Sequence, residues 1–289
     1  MRTEGHRGEI RRILVALDAS PLSRVALEVA ANLAIRYQAE LVGIYVEDIN
    51  LIRMADFPFV REIGAISGRL NEINRHLIER QLRAHARFVE RLLAEAATRI
   101  SPAGGTAGES ALRWSFRTVR GAISSELLSA ARDSDLILLG KSGWSRSRRL
   151  GSTARALAAE SPILAFILHQ LPHPGTPVMV AYDGTPDSRV GMTTARLISG
   201  ASAELNVLIL AEDIESAQRL RTEVEEYFAG EGVKLNYRWL SSLDAETIDQ
   251  TAQMAGCEVL VLPAESRFLD REALLTILNE SKCSVLLVR

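Results

Sequence analysis

Two cysteines in 289 residues are too few for a disulfide framework. Cys257 and Cys283 each adjoin an apolar run, in AGCEVLVL and SKCSVLLV, and are expected as reduced, buried thiols in a reducing cytoplasm. An excess of charge is lacking too. A net charge of −2 gives no general pull toward nucleic acid or anionic lipid, so neither is expected as a partner. Long apolar runs are missing: the polar opening MRTEGHRGEIRR leads only into a strand-length run at 13–17. No signal peptide or membrane insertion is therefore expected, and the expected location is cytoplasmic. Catalytic signatures are absent as well. There is no Gly-x-Ser-x-Gly elbow and no Gly-x4-Gly-Lys-(Ser/Thr) loop, so no catalytic residue is assigned and an enzyme is not the favoured expectation. His169 and His173 are four apart, no acidic or cysteine ligand is evident beside them in the sequence, and no metal site is expected. His76 and His85 read as surface or packing residues of a long helix.

What is present is a globular composition, 47% hydrophobic and 24% charged, with enough apolar residues for a sizeable core. The chain also repeats itself. Ile13-Leu14-Val15-Ala16-Leu17-Asp18-Ala19-Ser20-Pro21-Leu22-Ser23-Arg24 is matched, at a constant offset, by Val178-Met179-Val180-Ala181-Tyr182-Asp183-Gly184-Thr185-Pro186-Asp187-Ser188-Arg189. Ala39-Glu40-Leu41 and Ala203-Glu204-Leu205 each open a further apolar run. Asp135-Leu136-Ile137-Leu138-Leu139 pairs with Glu258-Val259-Leu260-Val261-Leu262, and each copy closes on a last apolar run, at 163–168 and 285–288. Three prolines and a glycine in HQLPHPGTP, 169–177, mark a linker. Two domains are expected, 10–169 and a shorter, degenerate 177–289.

Within each copy, short runs of Val, Ile and Leu alternate with helix-length segments. This predicts a doubly wound α/β fold: two Rossmann-like modules, each a five-stranded parallel sheet flanked by helices. Ser20-Pro21 and Thr185-Pro186 supply an N-cap and a first helical residue. Val25, Val29 and Leu33 with Ala26, Ala30 and Ala34 form an apolar face on the first helix. A long helix is expected over 72–97, with Leu77, Leu82, Val89, Leu92 and Leu93 along one face, and shorter helices near 125–132 and 152–160.

After the fourth strand of the first copy comes Gly140-Lys141-Ser142-Gly143-Trp144-Ser145-Arg146-Ser147-Arg148-Arg149-Leu150-Gly151-Ser152-Thr153. Glycines there let backbone N–H groups approach an anion. Ser152 and Thr153 would open a helix whose free N–H groups favour phosphate. Asp18 ends strand one, which would neighbour strand four at the switch point, where a carboxylate can bond a ribose hydroxyl or an adenine amine. Arg146, Arg148, Arg149 and Lys141 would either contact a triphosphate or lie solvated. After the fourth strand of the second copy, Pro263-Ala264-Glu265-Ser266 has no glycine. Glu265 and Glu272 would repel phosphate there, so that copy is expected to have lost the site.

On these residues the chain resembles a tandem member of the universal stress protein family, in two copies. Its nucleotide-binding members pair a strand-one Asp with Gly-x2-Gly-x9-Gly-(Ser/Thr) after strand four. Gly140, Gly143, Gly151 and Ser152 follow that order, with seven residues rather than nine before Gly151, so the loop must turn more tightly. The resemblance implies an adenine and ribose pocket lined by Ala16, Leu17, Asp18 and Val46. It implies a phosphate loop of Gly140, Ser142, Gly143, Gly151 and Ser152, flanked by Leu139 and Thr153. The implied ligand is ATP or another adenine nucleotide, with or without magnesium. The last strands of the two modules would pair as a pseudo-dimer, and further homodimerisation and an unidentified protein partner remain open. The Ser-Gly-Gly-x-Asp-Ser loop of related adenylating enzymes is absent; the position reads Leu17-Asp18-Ala19-Ser20. Residues 49–69, with Ile52, Met54, Phe57 and Phe59, have no second copy and would form a lid, a contact patch or local packing. Three functions follow: a nucleotide-binding stress-response regulator or sensor, a nucleotide-independent interaction scaffold, and, with least support, a slow ATPase or autophosphorylating protein.

Overall fold

The computed structural model describes residues 10–56, 61–63, 70–72, 75–100, 112–143, 149–173, 177–199, 204–240 and 244–289. The first half runs β1 (Arg12–Ala16), α1 (Pro21–Arg36), β2 (Glu40–Asp48), α2 (Ile49–Met54), then the short strands β3 (Arg61–Ile63) and β4 (Leu70–Glu72). It continues with α3 (Arg75–Ile100), β5 (Trp114–Gly121), α4 (Ile123–Ala131), β6 (Leu136–Gly140), α5 (Ser152–Glu160) and β7 (Leu164–Leu168). The second half is β8 (Val178–Tyr182), α6 (Pro186–Ser199), β9 (Glu204–Leu210), α7 (Ile214–Tyr227) and β10 (Lys234–Leu240). It ends with α8 (Ala245–Met254), β11 (Val259–Pro263), α9 (Arg271–Glu280) and β12 (Ser284–Val288).

Among the described residues, ten strands form one sheet in the order β10-β9-β8-β11-β12-β7-β6-β1-β2-β5. Within each half the five strands are parallel. The halves meet antiparallel, β7 on β12, with Ala165 opposite Leu287, Phe166 opposite Leu286 and Ile167 opposite Val285. Each half therefore gives the other's last strand a neighbour, and no open apolar edge is left at the seam. Strands buried on both faces explain the unbroken Val/Ile/Leu runs. One core cluster lies on each side of the sheet, and both clusters draw residues from both halves.

Local chemistry follows the sequence. Ser20 accepts from Ser23 N at 3.2 Å to cap α1, and Thr185 Oγ1 accepts from Ser188 N at 3.3 Å at the start of α6. Residue 19, an alanine, has a left-handed backbone (φ 64°), and its counterpart Gly184 has φ 77°: the strand-to-helix turn demands that conformation in both halves. The long helix departs from expectation at its start. It begins at Arg75, because Leu70–Glu72 pairs with Arg61–Ile63 as a small antiparallel ladder. Its buried face is Leu82, Ala86, Val89, Leu93, Ala96 and Ala97, while Leu77 is exposed and Leu92 only partly buried. In the 49–69 segment Ile52 is buried and Met54 exposed; Phe57 and Phe59 lie outside the described residues. Both cysteines are free and buried, and burial pushes the Cys257 thiol up to about 12, which leaves it protonated and unreactive.

Candidate functional site

Strand β1 lies between β2 and β6, so the chain winds outward in opposite directions from the β1/β6 boundary. A crevice opens there at the carboxyl ends of the strands. A cavity of about 300 Å³ occupies it. Ala16, Leu17, Asp18, Val46, Leu139, Gly140, Ser142, Gly143, Gly151, Ser152 and Thr153 all line it, so the sheet topology brings together every site residue expected from the sequence. Lys141, weighed above as a phosphate contact or a solvated cation, lines it too, and so do Ser20, Ser23, Ile44, Tyr45, Ile123, Leu127 and Ala154, which the sequence does not assign to the site. Two of these carried a readable signal. Ile44 is two residues before Val46 on the same face of β2, and Ile123 opens α4 beside the crevice.

The apolar wall is Ile44, Val46, Ile123, Leu127 and Leu139, all on the α4/α5 side of the sheet. Asp18 marks the polar side. Its Oδ1 accepts from Ser20 N at 2.9 Å, which fixes the carboxylate at the turn into α1. Burial, then the negative charges of Glu47 and Asp18, pushes the Tyr45 phenol up to about 12.

The glycines have separable reasons. A β-carbon on Gly140 would stand 2.6 Å from the Leu22 Cβ, so β6 can pass α1 only without a side chain there. A β-carbon on Gly143 would stand 2.8 Å from Asp18 Oδ2, so Gly143 lies directly against the carboxylate. Gly151 N donates to Lys141 O at 2.8 Å and pinches the base of the loop shut. Gly151 is also the N-cap of α5 and has no side chain to accept from that helix's first N–H groups. Those donors, at the positive end of the helix dipole and beside the cavity, suit an anion.

Lys141 departs from its expected role. It is neither solvated nor aimed at a phosphate: it is buried, and its Nζ donates to Ser281 O in the second half at 2.8 Å. Arg149 is exposed; Arg146 and Arg148 lie outside the described residues. His173 Nδ1 lies 2.7 Å from Glu258 Oε1, which fastens the linker to the second half. Among the described residues no cluster of three or more metal-ligating side chains occurs, and no helix is long and apolar enough to cross a membrane.

The equivalent place in the second half is built differently. Asp183 is 2% exposed and accepts from Thr185 N (3.0 Å), Thr185 Oγ1, Ser266 Oγ (2.7 Å) and Arg267 N (3.2 Å). Burial pushes its carboxyl up, but these bonds together outweigh burial and hold it below the ordinary carboxylate range. The segment after β11 thus folds down onto the carboxylate. Helix α9, the counterpart of α5, is capped by Asp270, whose Oδ1 accepts from Ala273 N at 2.8 Å, so a fixed negative charge occupies its anion-binding end. A larger cleft of about 520 Å³ remains, with Asp183, Glu212, Asp213 and Glu223 lining it beside Arg189, Arg219 and Arg267.

These features define a doubly wound α/β protein with a glycine-lined crevice at its switch point. Residues 9–168 match the model of the universal stress protein family, and the chain belongs to that family. A universal stress protein from Archaeoglobus fulgidus DSM 4304 shares the fold over 96% of this chain and 97% of its own, at 15% identity and a TM-score of 0.68. A functionally unknown protein from Pseudomonas aeruginosa PAO1 does so over 97% and 93%, at 14% identity and TM-score 0.59. The cytoplasmic domain of a prokaryotic cation chloride cotransporter also aligns, over 97% and 95%, at 10% identity and TM-score 0.51, so the fold is not tied to one activity. No curated protein sequence matches the chain significantly.

Proposed function

We propose that the cavity of the first half binds ATP or a related adenine nucleotide and that the protein acts as a cytoplasmic, nucleotide-responsive stress regulator. One observation carries this reading: Asp18, the glycine loop and the uncapped start of α5 converge on a single cavity of about 300 Å³ with an apolar wall. An adenine ring would lie against Val46, Ile123 and Leu139, Asp18 would take a ribose hydroxyl or the adenine amine, and the phosphates would meet Gly143, Ser152 and Thr153. Cavities of this size and mixed lining suit small ligands. We assign 10–169 as the binding domain and 177–289 as a second, diverged family domain, because the second half repeats the strand order of the first. Its capped α9 and engaged Asp183 support a role other than nucleotide binding.

The closeness of Gly143 to Asp18, in a loop shorter than the family pattern, favours a second reading, a nucleotide-independent scaffold. Calorimetry with ATP, with and without magnesium, separates the two. The nucleotide reading expects saturable binding that Asp18→Ala weakens at least 10-fold; no heat at millimolar ATP sinks it.

A further inference from the structure

The two described ends of the glycine loop, at Lys141 and Leu150, are each fastened to the second half. Lys141, the residue after Gly140, donates its backbone N–H to Leu168 O at 2.8 Å, and its side chain leaves the first half altogether. It is 4% exposed, and Nζ donates at 2.8 Å to the carbonyl of Ser281, the C-cap residue of α9. A cation at that end of a helix meets the negative end of the helix dipole. Burial lowers the Lys141 pKa, while Asp249 on α8 and Glu280 on α9 attract its charge. At the other end, Leu150, the residue before Gly151, is buried and donates its N–H to Asn279 Oδ1 at 3.0 Å. Both anchors converge on residues 279–281. Nearby, Arg289 donates to Ala158 O of α5 at 2.7 Å.

Loop ends left free would lose conformational freedom on meeting a ligand. Anchoring both ends to a packed helix removes part of that cost before any ligand arrives. We infer that the C-terminal end of α9 holds the described ends of the glycine loop, 140–143 and 149–153, in their binding geometry, so that the side chains of Lys141 and Asn279 are positioning groups, engaged with Ser281 O and Leu150 N rather than with the nucleotide. This rests on the cavity being a nucleotide site. Coupling is reciprocal: a ligand that tightens the loop also tightens α9. The second half, with its own cavity altered, is then part of the first half's site.

The test uses the full chain. In hydrogen exchange without ligand, the amides of 141–143 and 149–151 exchange about 10-fold faster in Asn279→Ala than in wild type. By calorimetry, Asn279→Ala and Lys141→Met each weaken ATP binding about 10-fold, with circular dichroism and refolding unchanged. Asn279→Asp, which keeps the acceptor oxygen, restores affinity to within about 3-fold. Saturating ATP slows exchange in α9 of wild type but not of the Lys141→Met, Asn279→Ala double variant. Unchanged ATP affinity in both single variants, or equal slowing of α9 in wild type and double variant, overturns the inference. Absence of ATP binding by wild type instead rejects the cavity reading, and the ligand-free exchange comparison still decides whether α9 holds the loop.

Discussion

Gly143 lies against Asp18: a β-carbon at 143 would stand 2.8 Å from the Asp18 Oδ2. The atom in the way is the end of a short side chain, and it can yield. Gly143→Ala is therefore expected to keep its stability to within about 1 kcal/mol while displacing the carboxylate. ATP affinity should fall at least 10-fold. Urea unfolding alongside calorimetry checks both halves of this statement, and intact affinity would remove Asp18 from the site.

Gly140→Ala should behave in the opposite way. The new methyl would meet Leu22 Cβ at 2.6 Å and the Leu22 carbonyl carbon at 3.2 Å, neither of which can rotate aside. Strand β6 and helix α1 must separate, at about 1–3 kcal/mol. The urea midpoint is the measurement.

Asp183 gives a pH prediction with a definite sign. Its folded-state pKa is depressed, so its contribution is fully present above an unfolded pKa of about 4 and is lost as pH falls through the folded value. Asp183→Asn should cost about 1–3 kcal/mol at pH 7. The gap from wild type should shrink steadily as pH drops below about 4. A gap independent of pH would mean that the carboxylate charge contributes nothing.

Phe166 and Leu286 face each other across the antiparallel seam, and both are essentially inaccessible. Phe166→Ala should destabilise the chain by about 3–5 kcal/mol. Because one sheet and two shared core clusters span both halves, the loss should appear in a single unfolding transition followed by far-ultraviolet circular dichroism.

The repeat and the strands are legible because they are written locally, and so are Asp18 and the glycines of the cavity lining, whereas Ala16, Leu17, Val46 and Leu139 come from the family resemblance. Buried parallel strands show as apolar runs. Helix α5 spans 152–160 as its sequence predicts, bounded by Gly151 before it and Ser161-Pro162 after it. What was not legible depends on distant partners. Glu72 has a helix-compatible neighbourhood, yet it pairs with Arg61, 11 residues earlier, and so the helix waits until Arg75. Lys141 sits in a basic loop and reads as a solvated cation. Its burial against Ser281, 140 residues away, exists only once β7 meets β12. Likewise the missing glycines after β11 lead to the expectation of a lost site, but nothing in them foretells that Ser266 bonds Asp183.

The most direct test of the central claim is photolabelling with an azido-adenine analogue of ATP, followed by peptide mapping. The account predicts labelling within Glu40–Asp48, Ile123–Ala131 or Leu136–Gly140, suppressed by excess ATP and lost in Asp18→Ala. Labelling confined to the second half, or labelling that ATP does not compete away, would contradict it.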